Sequence, residues 1–236
     1  MSQTAFITGG TKGIGFGIAQ VLVKAGFNVC ITGRRLDSAE RAAEKLNSIH
    51  MDAAYGVESD VRSLSSQINA VKKCVEHFGA IDIFVANAGV GHFASIEEMD
   101  PEKWKETIDT NLTGVFNSAK ASWEILKESK GYFISIASLA GTNFFAKGCA
   151  YNASKFGVVG LTQSIMLDLR RHGIRVTTIM PGSVTSHFNG HTPSEEDAWK
   201  IQPEDIGEMI LNLSKLNART LPSKIEVRPT MPPSVQ

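Results

Sequence analysis

Short runs of β-branched and other apolar residues alternate along the chain with longer stretches whose apolar positions recur every three or four residues. Runs at Ala5–Thr8, Asn28–Thr32, Asp52–Val57, Ile83–Ala86, Gly131–Ala137, Arg175–Met180 and Lys224–Val227 predict strands. Helical patterns cover Ile14–Lys24, Leu36–Ser48, Leu64–Phe78, Pro101–Glu128, Ala153–Arg171 and Pro203–Leu216. Punctuation agrees with them. Asp100 before Pro101 is a good cap followed by proline in the first helical position. Gly26, Gly79 and Gly173 follow three helical patterns, where a left-handed residue closes a helix. Strands that alternate with helices pair in parallel through right-handed crossovers, which predicts an α/β fold: a doubly wound, seven-stranded parallel sheet with helices on both faces. Ligands of such sheets collect at the carboxyl ends of the strands. No repeat, linker or low-complexity stretch divides residues 1–236, so one domain is expected. Both patterns lapse over residues 182–202, which predicts a substrate loop or lid.

With 236 residues, 42% hydrophobic and 20% charged, the chain can bury a core without disulfides or metals. Its 24 basic residues balance 24 acidic ones, which speaks against the basic excess of a nucleic-acid binder. Cys30, Cys74 and Cys149 are widely spaced and form no C-x-x-C pair, so neither a disulfide framework nor a zinc site is expected. Cys149 reads as a packed small residue, and free thiols suit a reducing compartment. Met1-Ser2-Gln3-Thr4 runs straight into a strand pattern without a charged leader, and no run reaches the roughly 18 apolar residues of a membrane helix. A cytoplasmic protein away from membranes is the expectation. His92 and His187 lack metal-ligand spacing, so no metal is assigned.

The first strand ends in Thr8-Gly9-Gly10-Thr11-Lys12-Gly13-Ile14-Gly15, and a helix follows at once. Glycines let the backbone turn sharply and approach a pyrophosphate, and the helix amino terminus offers unpaired N–H groups to the anion. A tight strand-to-helix turn is the plain alternative; the position after the first strand favours binding. An acidic residue about 20 residues further on would favour NAD. The second strand ends instead in Gly33-Arg34-Arg35. Guanidinium groups match a phosphate bidentately, and Lys12 lies in reach, so the expected cofactor is NADP(H).

Tyr151 and Lys155 are four apart, one helical turn from each other. Carbonyl reduction needs a proton donor beside the hydride source, and a nearby ammonium draws a phenol's pKa down toward neutrality. Tyr-x-x-x-Lys alone is a common accident; its companions carry the argument. Ser138 follows the strand ending at Ala137, at the edge where ligands bind. Asn111 is a polar amide inside a long helical pattern, which suits a bend or a bound water. By themselves these two would read as a helix cap and a structural amide.

Together these motifs resemble the short-chain dehydrogenase/reductase family in its common form of about 250 residues, with a Rossmann-type fold, over nearly the whole chain. The T-G-x-x-x-G-I-G loop is Thr8 to Gly15, Asp60-Val61 follows strand three, and Asn87-Ala88-Gly89 follows strand four. Pro181-Gly182-Ser183-Val184-Thr185 resembles the segment that meets nicotinamide. The resemblance implies Tyr151 as general acid/base, Ser138 as carbonyl orienter, Lys155 as ribose binder and Asn111 in a proton relay. It implies that Asp60 bonds adenine, that Asn87 and Gly89 line the cleft, and that Val184 and Thr185 meet the carboxamide. A homodimer or homotetramer built on the fourth and fifth helices is implied as well. Ala86 departs from the pattern, since many members carry asparagine there, and the region after Thr185 is short. The branch resembled is that of 3-oxoacyl-thioester and small-ketone reductases. Lys130 and Arg171 are candidates to flank the cleft and meet an acidic carrier, although ordinary solvated cations read the same way. Phe144, Phe145 and Phe188 hint at an apolar substrate. The rival readings are an NAD-dependent alcohol dehydrogenase and a dinucleotide-binding sensor without catalysis, which need not keep the tyrosine and lysine.

Overall fold

Thr4–Ile7 has no exposed position, as a strand covered on both faces requires. In the computed structural model, which describes residues 2–232, this strand (β1) lies at the centre of one parallel sheet. Its companions are β2 (Asn28–Gly33), β3 (Ala54–Glu58), β4 (Ile83–Ala86), β5 (Tyr132–Ile136), β6 (Arg175–Pro181) and β7 (Lys224–Val227). The order is β3-β2-β1-β4-β5-β6-β7. The chain winds outward from β1 to β3 and then returns to β4 on the other side. The switch point, where such sheets bind ligands, therefore lies between the carboxyl ends of β1 and β4.

Alternate side chains of each strand feed two cores. Ala5, Ile7, Val29, Ile31, Val85 and Ile134 meet α1 (Gly13–Lys24), α2 (Leu36–Asn47) and α7 (Pro203–Lys215). On the other face, Cys30, Val57, Ala86 and Val176 meet α3 (Leu64–Phe78), α5 (Gly114–Ser129) and α6 (Cys149–Leu169). There the register sets Phe6 beside Phe84 and Phe84 beside Phe133. Their rings stack at 4.7 and 5.7 Å across three strands. Phe84 is wholly buried, so Phe84→Ala is expected to cost about 3–5 kcal/mol.

The helix predicted over Pro101–Glu128 is two helices. A π turn, Asp109–Thr113, separates α4 (Pro101–Ile108) from α5. One extra residue in a turn leaves the apolar periodicity on either side nearly intact, so the pattern alone does not reveal it. Helix α6 begins at Cys149 rather than Ala153, with Gly148 at the cap position and no side-chain cap. Tyr151 therefore stands in the first turn. The third strand starts at Ala54 because Asp52 holds φ 60°. Gly26, Gly79 and Gly173 take φ of 87°, 88° and 78°, as their positions after helices predict. Residues 182–202 hold more structure than a loop: Val184 pairs with Ile201, and Phe188–Gly190 and Glu195–Asp197 form 3-10 turns. Among the described residues, no helix is long and apolar enough to cross a membrane, and no side-chain group suits a metal ion.

Candidate active site

The glycine loop is packed too tightly for a side chain at Gly9, Gly10 and Gly15. Gly9 has φ 65°, and a Cβ there would lie 2.9 Å from Ala88 Cα. At Gly15 a Cβ would meet Asn87 Nδ2 at 2.5 Å and Gly9 O at 2.6 Å. Asn87, assigned above to the cleft wall, is the tie that shapes this loop. Its Nδ2 donates to Thr8 O (2.9 Å) and Gly9 O (3.2 Å). In return, Thr8 Oγ1 accepts from the N–H groups of Asn87 and Ala88. The α1 terminus has no side-chain cap and no acidic residue in its first turn. Its first N–H groups, at Gly13, Ile14 and Gly15, have no intrahelical acceptor. These donors beside closely approached glycine backbone fit the pyrophosphate of a dinucleotide.

Past β2 and β3 the chain gathers cations. Gly33 lies against the Thr11 methyl, which sets the exposed Arg34 beside the loop. Neither Arg34 nor Lys12 has an ion-pair partner among the described residues. Arg35 does not join them: it turns back to Asp37 (3.3 Å) and Ser38 at the start of α2. Asp60 is engaged by Arg62, whose Nε and Nη2 reach the carboxylate at 3.0 and 2.5 Å. Those bonds hold the Asp60 carboxyl below its ordinary pKa, with a smaller contribution from Arg34. Sequence reasoning missed Arg62; its spacing of two from Asp60 was the only signal. Val61 is buried, and its carbonyl accepts from Asn117 Nδ2 (2.9 Å), so it anchors the strand end on α5.

Asn111, Ser138, Tyr151 and Lys155 converge beyond β4 and β5. Lys155 is buried, donates to Ile136 O at 3.0 Å and stands 5.7 Å from the Tyr151 ring centroid. Burial pulls its ammonium down to about 8. Burial also pushes the Tyr151 phenol up, offset only in part by the Ser138 hydroxyl. Ser138 Oγ also caps the next turn, accepting from Ala140 N at 3.1 Å. Asn111 clasps Val90 in both directions: Oδ1 accepts from Val90 N (2.8 Å) and Nδ2 donates to Val90 O (2.9 Å). Its second N–H reaches Ser154 Oγ (3.0 Å), which donates to Tyr151 O (2.8 Å). Both amide protons are thus committed to positioning. Gly89 lies between these groups, its missing Cβ 3.3 Å from Asn111 Oδ1 and 3.8 Å from Lys155 Nζ.

An aromatic wall surrounds the phenol. Phe93, which sequence reasoning missed, meets Tyr151 at 5.3 Å, and Phe188 meets it at 5.7 Å. An exposed apolar residue just past Asn87-Ala88-Gly89 was its signal. Phe145 touches Phe93 at 5.8 Å, while Phe144 is 83% exposed and belongs to no ring pair among the described residues. Phe188 rests on Gly91, where a Cβ would lie 2.4 Å from its ring. The segment carrying Phe188 is pinned at its base. Thr185 N donates to Ile201 O, and Thr185 Oγ1 lies between Asp197 O and Gln202 Nε2 (3.2 and 3.1 Å). Asp197 is held ionised well below its ordinary range by Lys200 and His191. Pro181 closes β6, and Gly182 N donates to Val227 O (2.8 Å).

Three further candidates are placed elsewhere. Lys130 closes α5, and Arg171 lies in the turn before β6. Both are at the amino edge of the sheet, so within this chain they do not flank the cleft. Cys149 Sγ donates to Ala94 O at 3.5 Å. His92 pairs with Glu106 at 2.9 Å.

This geometry has known counterparts. The short chain dehydrogenase family profile matches residues 3–197, and the chain belongs to that family. A trans-4-hydroxycyclohexanecarboxylate dehydrogenase of Sinomonas cyclohexanicum is 37% identical over 90% of this chain and 85% of its own. Among solved structures, an alcohol dehydrogenase of the archaeon Thermococcus sibiricus, complexed with 5-hydroxy-NADP, superposes with a TM-score of 0.92 at 28% identity. That match covers 99% of each chain. A 3-ketoacyl-(acyl-carrier-protein) reductase of Brucella melitensis complexed with NADH gives 0.87 at 26%, covering 97% of each. The protein is an oxidoreductase of hydroxyl and carbonyl groups whose relatives bind nicotinamide dinucleotides.

Proposed function

We propose that the chain reduces a ketone or related carbonyl to an alcohol with NADP(H), Tyr151 giving the proton. The observation that carries this is the half-buried Tyr151 phenol with the Ser138 hydroxyl beside it and the Lys155 ammonium 5.7 Å from its ring. The dinucleotide, when bound, supplies the hydride that reaches the carbonyl carbon. Tyr151 O–H delivers the proton to the carbonyl oxygen, and burial keeps that proton on the phenol until it is needed. Ser138 Oγ donates to the same oxygen and fixes its position. Lys155, with an ammonium held near 8, gains or loses a proton readily and can restore the phenol. Asn111 holds residue 90 and, through Ser154, the first turn of α6.

Gly9, Gly13, Ile14 and Gly15 would hold the pyrophosphate, and Arg34 with Lys12 would hold the 2′-phosphate. The exposed, unpaired Arg34 supports NADP(H) over NAD. Asp60, Ala88 and Gly89 would line the dinucleotide, and Pro181, Gly182, Val184 and Thr185 its nicotinamide end. Free thiols, two of them buried, support a cytoplasmic setting. Exposed Phe116 on α5 and Phe156 on α6 support a homo-oligomer built on these helices.

The test follows dinucleotide oxidation with a panel of ketones, aldehydes and an acetoacetyl thioester. Tyr151→Phe is expected to lower kcat by about 100-fold or more. Turnover equal to that of the unaltered protein would reject the mechanism. Arg34→Asp is expected to shift preference toward NADH, and an unchanged ratio would reject the NADP(H) assignment.

A further inference from the structure

Main-chain bonds fix the turn that follows β3. Asp60 N donates to Ser66 Oγ at 3.0 Å, Ser63 N donates to Asp60 O at 3.0 Å, and Val61 O accepts from Asn117 Nδ2 at 2.9 Å. None of these bonds reaches the Asp60 carboxylate. Among the described residues only Arg62 does. Its main-chain N–H donates to Oδ1 (3.0 Å), Nη2 donates to Oδ2 (2.5 Å), and Nε lies 3.0 Å from both oxygens. The N–H grips one oxygen, and the guanidinium fork fixes the plane of the pair. Two further carboxylates act on Arg62, Glu106 on α4 and Asp109 at the start of the π turn. Glu106 is taken by His92 and Lys103, and Asp109 by Lys105. The guanidinium is thereby left to Asp60.

A carboxylate has about four acceptor sites, and Arg62 supplies three protons, one each from N, Nε and Nη2. One site stays open, on a side chain that is 33% exposed. An ionised carboxylate accepts and cannot donate, so an amino group suits that site and a carbonyl oxygen is repelled. We propose that Arg62 is a positioning residue of the dinucleotide site. Its fork turns the open lone pair of Asp60 toward the 6-amino group of the purine, and so makes the site select adenine over a 6-oxopurine. This rests on the assignment of Asp60 to the base of the dinucleotide. Lysine at position 62 keeps the charge but replaces the planar fork with a single ammonium, which holds the carboxylate's plane less firmly.

The test titrates the full-length protein, by fluorescence, with NADPH and with its hypoxanthine counterpart, in which a 6-oxo group replaces the 6-amino group. The hypoxanthine form is expected to have a Kd about tenfold higher. Arg62→Gln is expected to bring that ratio to about three or less, with Arg62→Lys between. A loosened fold would weaken both dinucleotides together and leave their ratio alone, so the ratio reports positioning. Asp60→Asn, which offers the base both a donor and an acceptor, should bring the ratio to about one. A ratio that falls in Asp60→Asn but stays unmoved in Arg62→Gln overturns the proposal alone. A ratio near one in the unaltered protein, or one that survives Asp60→Asn, overturns the base-binding role of Asp60 and the proposal with it. If NADPH does not bind, NADH and its hypoxanthine counterpart decide the matter in the same way, since the base is common to both.

Discussion

Lys155→Met in the protein without dinucleotide should stabilise the fold at neutral pH and destabilise it near pH 10. The ammonium is 6% exposed, and burial draws it from 10.5 to about 8. Each pH step in that interval is worth about 1.36 kcal/mol, so holding the charge at neutral pH costs the folded state roughly 3 kcal/mol. The unfolded chain carries the extra proton between about 8 and 10.5, so stability of the unaltered protein rises with pH through that window. Methionine removes this cost at similar shape. It also gives up the bond to Ile136 O, worth about 1 kcal/mol, and the contact with the Tyr151 ring, worth about 0.5–1 kcal/mol. A net gain of about 1–2 kcal/mol remains at neutral pH, or about 4 °C in melting temperature for a chain of this size. Near pH 10 the removed cost shrinks below roughly 1 kcal/mol, and the losses prevail. Urea unfolding of both proteins at the two pH values checks this, while reductase activity should be lost throughout. A less stable methionine variant at neutral pH, or a difference that ignores pH, would refute the reasoning.

Asn87→Ala strands two loop carbonyls and should destabilise the fold by about 2–3 kcal/mol in urea unfolding, while weakening dinucleotide binding measured by fluorescence titration. Gly91→Ala sets a methyl where the Phe188 ring rests; lid opening should show as faster proteolysis within 182–202, with little change in overall stability. Asp197→Asn removes the carboxylate that holds His191 and Lys200, so the same segment should also be cut faster. In the unaltered protein that carboxylate is held below its ordinary pKa. Its contribution is therefore present above the unfolded value near 4 and lost as pH falls below it, which acid proteolysis profiles should report.

The sheet was legible because each strand is a short β-branched run and each helix carries a face. Ile83–Ala86 and Lys224–Val227 were bounded to the residue, as was the helix Leu64–Phe78. The π turn at Asn111 was not legible as such, although the buried amide there pointed to a bend. The early start at Cys149 was hidden because Gly148 supplies no capping side chain. Tyr151, Lys155 and Ser138 were found by position after strands and by helical spacing. Phe93 and Arg62 were not, because each earns its place from a neighbour distant in sequence or from a local pairing that no spacing rule announces. Asn87 was expected to line the cleft, and its further part in tying the glycine loop has no mark in the sequence. Arg35 and Arg34 look alike in sequence, yet only the coordinates tell which one turns back upon its own helix.

The clasp between Asn111 and residue 90 grips main chain alone, through one donor and one acceptor that every residue except proline possesses. The main chain at residue 90 is therefore moored without reference to what its side chain is. That one position can be rewritten while the apparatus that moves the proton stays where it is.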